Sequence, residues 1–123
     1  MKNRYEFGME MLKKVDGHAG EEVVAPLGDL GKILVEMFGD VYGREGLSLR
    51  EREIASIAML TVLGRETQLK VHIEAGANVG LTRKEMEEII IHTVLYAGFP
   101  TAINGMNLLN GMTLPGKKNK DIF

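Results

Sequence analysis

Two short stretches, "LSLRERE" and "LTRKE", each set a hydroxyl three residues ahead of a glutamate at the head of an apolar run. This spacing lets Ser48 pair with Glu51, and Thr82 with Glu85, as capping boxes in which each side chain satisfies an otherwise orphaned backbone N–H. Glycines supply the matching stops. The first helix runs through "IASIAMLTVL" to Gly64, and a second spans about Glu66 to Asn78 and ends by Gly80. The third carries "MEEIIIHTVLYA" to Gly98, after which Pro100 bars simple continuation and suits the first turn of a last helix over roughly 100–112. Upstream, Leu27, Leu30, Leu34, Met37 and Val41 recur at three- and four-residue steps, widened by Ile33, Phe38 and Tyr42. The stretch 27–43 therefore reads as an amphipathic helix whose beginning Gly28 and Gly31 weaken. A helix over about 3–15, leaving through "GHAGEE", completes the set. No segment alternates with period two between hairpin turns, so strands are not expected. The chain is predicted to be all-α, a single domain over 1–123 with five or six helices and a frayed polar tail over 113–123.

Composition narrows the function. A chain of 123 residues with a net charge of −2 has no basic stripe for nucleic acid. Cysteine is absent, which removes disulfides, thiolate metal sites and cysteine nucleophiles together. The histidines, His18, His72 and His92, form no HExxH or HxH element, so a metal site is not expected. No apolar run has the length of a membrane span and "MKNRYEFGME" has no signal-peptide core, which makes the cytoplasm the expected location. "IASIAMLTVL" and "EIIIHTVLYAGF" are apolar on more than one face. A chain this small cannot bury both alone, so a homo-oligomer, at least a dimer, is predicted.

Candidate chemistry gathers on two of these helices. Glu53 lies in the first turn of its helix and shares a stripe with Ile57 and Leu60, without the capping duty of Glu51. An exposed carboxylate improving the helix N-terminus is the plainer reading. Arg65, Gln68 and His72 follow at i, i+3 and i+7 and line one face of the next helix, where Ala75, Gly76 and Val79 allow a neighbour close. His72 is then either a core histidine bonded to a carbonyl or one wall of a site, and spacing leaves both open. His92 and Tyr96, four apart, can line the same crevice or simply pack. Asn104, Arg44, Arg50 and Arg52 are further polar candidates for ligand contact or solvation.

The words "GL-x-x-REREI", "LGRE-x-QLK-x-HI-x-A", "N-x-G-x-T-x-x-E" and "YAGFP-x-A" occur in order over roughly 41–105. In them the chain resembles the carboxymuconolactone decarboxylase family, within the alkylhydroperoxidase-D-like superfamily. The peroxidase branch of that superfamily carries a glutamate followed by C-x-x-C-x-x-x-H. By the family distances the glutamate falls on Glu53, the cysteines on Arg65 and Gln68, and the histidine on His72. Neither arginine nor glutamine forms a sulfenate or a disulfide, so thiol peroxidase chemistry is excluded. The resemblance implies an all-α fold, oligomers that are often hexamers built as a trimer of dimers, and a decarboxylase without cofactor. The implied reaction takes 4-carboxymuconolactone to 3-oxoadipate enol-lactone and carbon dioxide, in the catabolism of aromatic compounds. On that reading His72 donates a proton, and Glu53 orients it or shares its proton. Arg65 grips a substrate carboxylate, Gln68 donates to the lactone oxygen, and His92 and Tyr96 make further substrate contacts. An anionic Glu53 near a dicarboxylate demands pairing with His72 or Arg65, or protonation by burial. Two other readings use the same residues: an acid/base enzyme on another small lactone or acid, and an oligomeric small-ligand binder without catalysis.

Overall fold

The computed structural model describes residues 1–114. Among them are six α-helices and no strand: α1 (Arg4–Val15), α2 (Asp29–Tyr42), α3 (Leu49–Leu63), α4 (Glu66–Asn78), α5 (Arg83–Ala97) and α6 (Phe99–Asn110). A π turn, Gly20–Val24, and a 3₁₀ turn, Ala25–Leu27, lie between α1 and α2. The chain divides into two compact units, Met1–Leu49 and a second beginning at Arg50.

In the first unit α1 opens on a capping box. Asn3 accepts from the Glu6 backbone N–H at 2.8 Å, and the Glu6 carboxylate accepts from that of Asn3 at 3.1 Å. Helices α1 and α2 pack backbone to backbone. A Cβ placed on Gly8 would lie 2.1 Å from the Val35 carbonyl oxygen, and one on Gly39 would lie 2.6 Å from the Gly8 Cα. Leu12, Ala19, Val24 and Val35 form the small core there, with Met9 and Phe38 against it. Arg4 forks onto Asp40, and that hydrogen bond, then the charge of Arg4, holds the Asp40 carboxyl below its ordinary range.

The stripe read from the sequence of α2 is not its buried face. Gly31, Val35, Gly39 and Tyr42 are buried, while Leu27, Leu30, Ile33, Leu34, Met37 and Val41 are exposed. The reason is steric: Gly8 of α1 lies so near Val35 and Gly39, and Val24 so near Gly31, that no large side chain fits at those three positions of α2. The larger apolar side chains are left on the other side.

In the second unit the core joins Ile57, Leu69, Ile73, Leu81, Met86, Ile90, Ala102, Leu109 and Leu114. α3 ends at Gly64 and α5 at Gly98, with φ of +71° and +78°, the left-handed region that a Cβ disfavours. Thr82 and Glu85 form the expected box at the head of α5, with hydrogen bonds of 3.1 and 3.0 Å. Arg83 donates to the Leu109 and Met112 carbonyls at 2.9 and 2.5 Å, satisfying acceptors left over at the end of α6. Leu114 is buried, although position 114 falls within the stretch expected to fray. The rest of that stretch, 115–123, lies outside the described residues.

Candidate active site

The buried line of α3 is Glu53, Ile57 and Thr61, at intervals of four. Two of the three are polar, and each has a partner. Thr61 turns its hydroxyl back to the Ile57 carbonyl at 2.7 Å, the usual way a buried helical threonine is satisfied. Glu53 has no exposed surface at all, and its Oε1 stands 2.8 Å from Nδ1 of His72 on α4. The His72 side chain keeps 25% of its surface. An unpaired buried carboxylate would cost several kcal/mol, on the order of the desolvation penalty for one ion. The imidazole is a partner that offsets it.

This contact has a chemical consequence. With the Nδ1–H donating to the carboxylate, the tautomer and ring orientation are fixed, and Nε2 is the nitrogen left to exchange a proton with something else. The same logic orients metal-bound and catalytic histidines generally. The pair is held by rigid supports: Ile57 follows Glu53 by one turn, Leu69 and Ile73 flank His72, and all three are fully or almost fully buried.

Arg65 precedes α4 as its N-cap, with φ −89° and ψ 78°, and its carbonyl accepts from the Leu69 N–H at 2.8 Å. Both Arg65 and Gln68 are exposed. His92 and Tyr96 are exposed on α5 with ring centroids 6.0 Å apart. They line a groove of about 420 Å³ with Thr93 and with Ala58, Met59, Val62 and Leu63 of α3, a lining that does not include Glu53 or His72. Thr93 was not among the residues singled out from sequence. It is buried, with its hydroxyl donating to the Ile90 carbonyl at 2.6 Å, and the polar dipeptide His92–Thr93 inside an apolar run is the signal that marks it. Asn104 is exposed on α6, and Arg50 is paired with Glu85. Among the described residues, no three histidine or acidic side chains converge as a metal-binding group. No helix there is long and apolar enough to cross a membrane.

These features describe an all-helical protein with a buried carboxylate–imidazole pair spanning two consecutive helices. The sequence pattern of the carboxymuconolactone decarboxylase family matches residues 28–111, and the chain belongs to that family. It is 38% identical over 89 residues to a 4-carboxymuconolactone decarboxylase of Acinetobacter baylyi, covering 68% of this chain and 66% of the relative. A nitrosuccinic acid decarboxylase of Metarhizium robertsii is 28% identical over 69 residues, 56% of this chain and 48% of the relative. An uncharacterized 15.0 kDa protein of Paracoccus denitrificans is 33% identical over 70 residues, 54% and 52% of the two chains. The chain thus spans less than two thirds of the length of each of these relatives.

Proposed function

We propose that this protein is a carboxy-lyase working without a cofactor on a small carboxylated unsaturated lactone, releasing carbon dioxide and leaving an enol-lactone. The observation that carries the reading is the 2.8 Å contact between Glu53 and His72, an acid–base pair with one ring nitrogen available. Family membership and two relatives named as decarboxylases support the reaction type.

The chemistry asks for little else. When the bond from ring carbon to carboxylate breaks, its electron pair moves through the substrate's own unsaturation onto the lactone carbonyl, giving a dienolate. His72, protonated on both nitrogens, keeps its Nδ1–H on Glu53 and delivers the Nε2 proton to carbon. The ring ends neutral and is reprotonated from solvent. A positioned acid of this kind contributes roughly 10²–10⁴-fold. In the proposal Glu53 is a positioning residue. Protonated His72 also supplies the counter-charge that a buried acid needs beside an anionic substrate. Arg65 grips a carboxylate through its planar fork and Gln68 donates to the oxygen where charge develops. His92 and Tyr96 are assigned to substrate contact on their four-residue spacing. The working form is a homo-oligomer, proposed as a hexamer arranged as a trimer of dimers.

The relative named for nitrosuccinic acid favours a second reading, in which the reaction type is kept and the substrate is another small acid. Incubating the purified protein separately with 4-carboxymuconolactone and with nitrosuccinate, and following carbon dioxide, separates the two. The expected result is turnover of the lactone that falls at least tenfold in His72→Ala. Turnover unaffected by that change, or none with either acid, overturns the proposal.

A further inference from the structure

We infer that Gly76 is a positioning residue for the Glu53–His72 pair: the side chain it lacks sets the separation of α3 and α4 at which their hydrogen bond forms. The catalytic meaning of this inference rests on the proposed reaction, while the geometry it asserts is measurable without turnover.

The two helices take the same step away from the pair. Ile57 follows Glu53 by four residues on α3, and Gly76 follows His72 by four on α4, so each lies one turn further along the same face. A Cβ built on Gly76 would stand 3.1 Å from Cδ1 of Ile57, 3.0 Å from Cδ1 of Leu81 and 3.2 Å from Cε of Met86. One turn from the 2.8 Å contact of Glu53 with His72, Ile57 thus rests against a part of α4 that has no side chain. Helix propensity speaks against glycine inside α4, where alanine is the better former. Space is what favours it.

A methyl group at this point has little room to be absorbed. Ile57 and Met86 have no exposed surface, Leu81 keeps 1%, and all three belong to one core. Leu81 is also pinned through its backbone N–H, which donates to the Gly76 carbonyl at 2.9 Å. Met86 is the adaptable neighbour, an unbranched thioether that can turn its tip. Ile57 adapts less: its branched Cβ holds one χ1 rotamer in a helix, and a filled core leaves its tip nowhere to go. Pressure on Cδ1 therefore passes to the backbone of α3, which carries Glu53 one turn back. Ordinary contact begins at 3.4 Å, so Ile57 has to retreat by about 0.3 Å. At on the order of 10²-fold per ångström of misplacement, this corresponds to roughly fourfold in rate.

The test uses the full chain labelled with nitrogen-15. A ring N–H held by a carboxylate gives a downfield proton signal that moves upfield as the bond lengthens, and His72→Ala identifies it by deleting it. Gly76→Ala should move this signal upfield and lower kcat roughly fourfold with KM unchanged. Adding Ile57→Val, which removes the Cδ1 methyl, should restore both. Gly105→Ala is the steric control. Its Cβ would stand 3.1 Å from Cγ2 of Thr61, eight residues beyond Glu53 on α3, so it should leave the signal in place. A signal and kcat unmoved by Gly76→Ala overturn the inference, as does an equal shift in Gly105→Ala or a failure of Ile57→Val to restore the bond. The expected shifts in a protein that turns over neither acid uphold the positioning and overturn the proposed reaction instead.

Discussion

Adding one methyl group at Gly8 should be among the most damaging small changes this chain can suffer. The new Cβ would lie 2.1 Å from the Val35 carbonyl oxygen and 2.8 Å from both its carbonyl carbon and its Cγ1. Ordinary contact needs about 3.4 Å or more, so the deficit against the oxygen is about 1.3 Å. A backbone oxygen inside a helix cannot swing aside as a side-chain tip can. α1 must therefore move off α2, loosening the contacts of Leu12 and of Val35, which is wholly buried. Overpacking of this type costs about 1–3 kcal/mol, and a rigid backbone obstacle puts Gly8→Ala near the upper end. Alanine recovers about 0.5–1 kcal/mol through its better helix propensity. The net prediction is a loss of about 2 kcal/mol. Gly17→Ala is the control: nothing lies within 4 Å of its Cβ position and its backbone is outside the left-handed region, so it should be neutral or slightly stabilising. Urea unfolding followed by circular dichroism gives both values, and amide exchange in α1 and α2 locates the loss. Equal stability of Gly8→Ala and Gly17→Ala would refute the claim that the two backbones touch.

Three further outcomes follow from other contacts. Glu53→Gln should lower kcat at least tenfold with KM little changed, because the amide can still hold the ring but no longer matches its charge; steady-state rates on the preferred acid decide it. Glu85 is held below the ordinary carboxylate range, first by the Thr82 backbone N–H and then by Arg50. Its stabilising share is therefore complete above the ordinary glutamate value and disappears as pH falls through the lowered one, so Glu85→Gln should flatten the acid side of a stability–pH curve. Thr82→Ala removes one half of the capping box on α5 and should cost about 1 kcal/mol in urea unfolding, with a change near zero counting against the cap.

The helix ends were legible because their chemistry is local. Thr82 with Glu85, and glycines 64 and 98, announce starts and stops without reference to any other part of the chain, and α4 occupies the predicted Glu66–Asn78. Asn3 with Glu6 carries the same kind of signal, since asparagine caps as well as a hydroxyl does. The orientation of α2 was not legible. A hydrophobic stripe reveals a face that wants cover without saying who covers it, and Gly31, read as a weakness of the helix, is instead one of its buried seats. The irregular turns over 20–27 have no sequence signature of comparable strength. At the site, the spacing of Glu53 with Ile57 and Leu60, and of His72 with Arg65 and Gln68, puts each on a definite helical face. Whether those faces meet depends on how α3 and α4 pack, which brings the two side chains into hydrogen-bonding contact.

Arg83 has an effect beyond its two hydrogen bonds. Helix ends are ordinarily the first places to loosen, yet the closing turn of α6 is latched to the opening residue of α5. With the covalent link at Gly98 on the other side, the two helices make a closed circuit. Fraying at one end then has to be shared with the other, so protection of the last α6 amides against solvent exchange should report on the first turn of α5 as well.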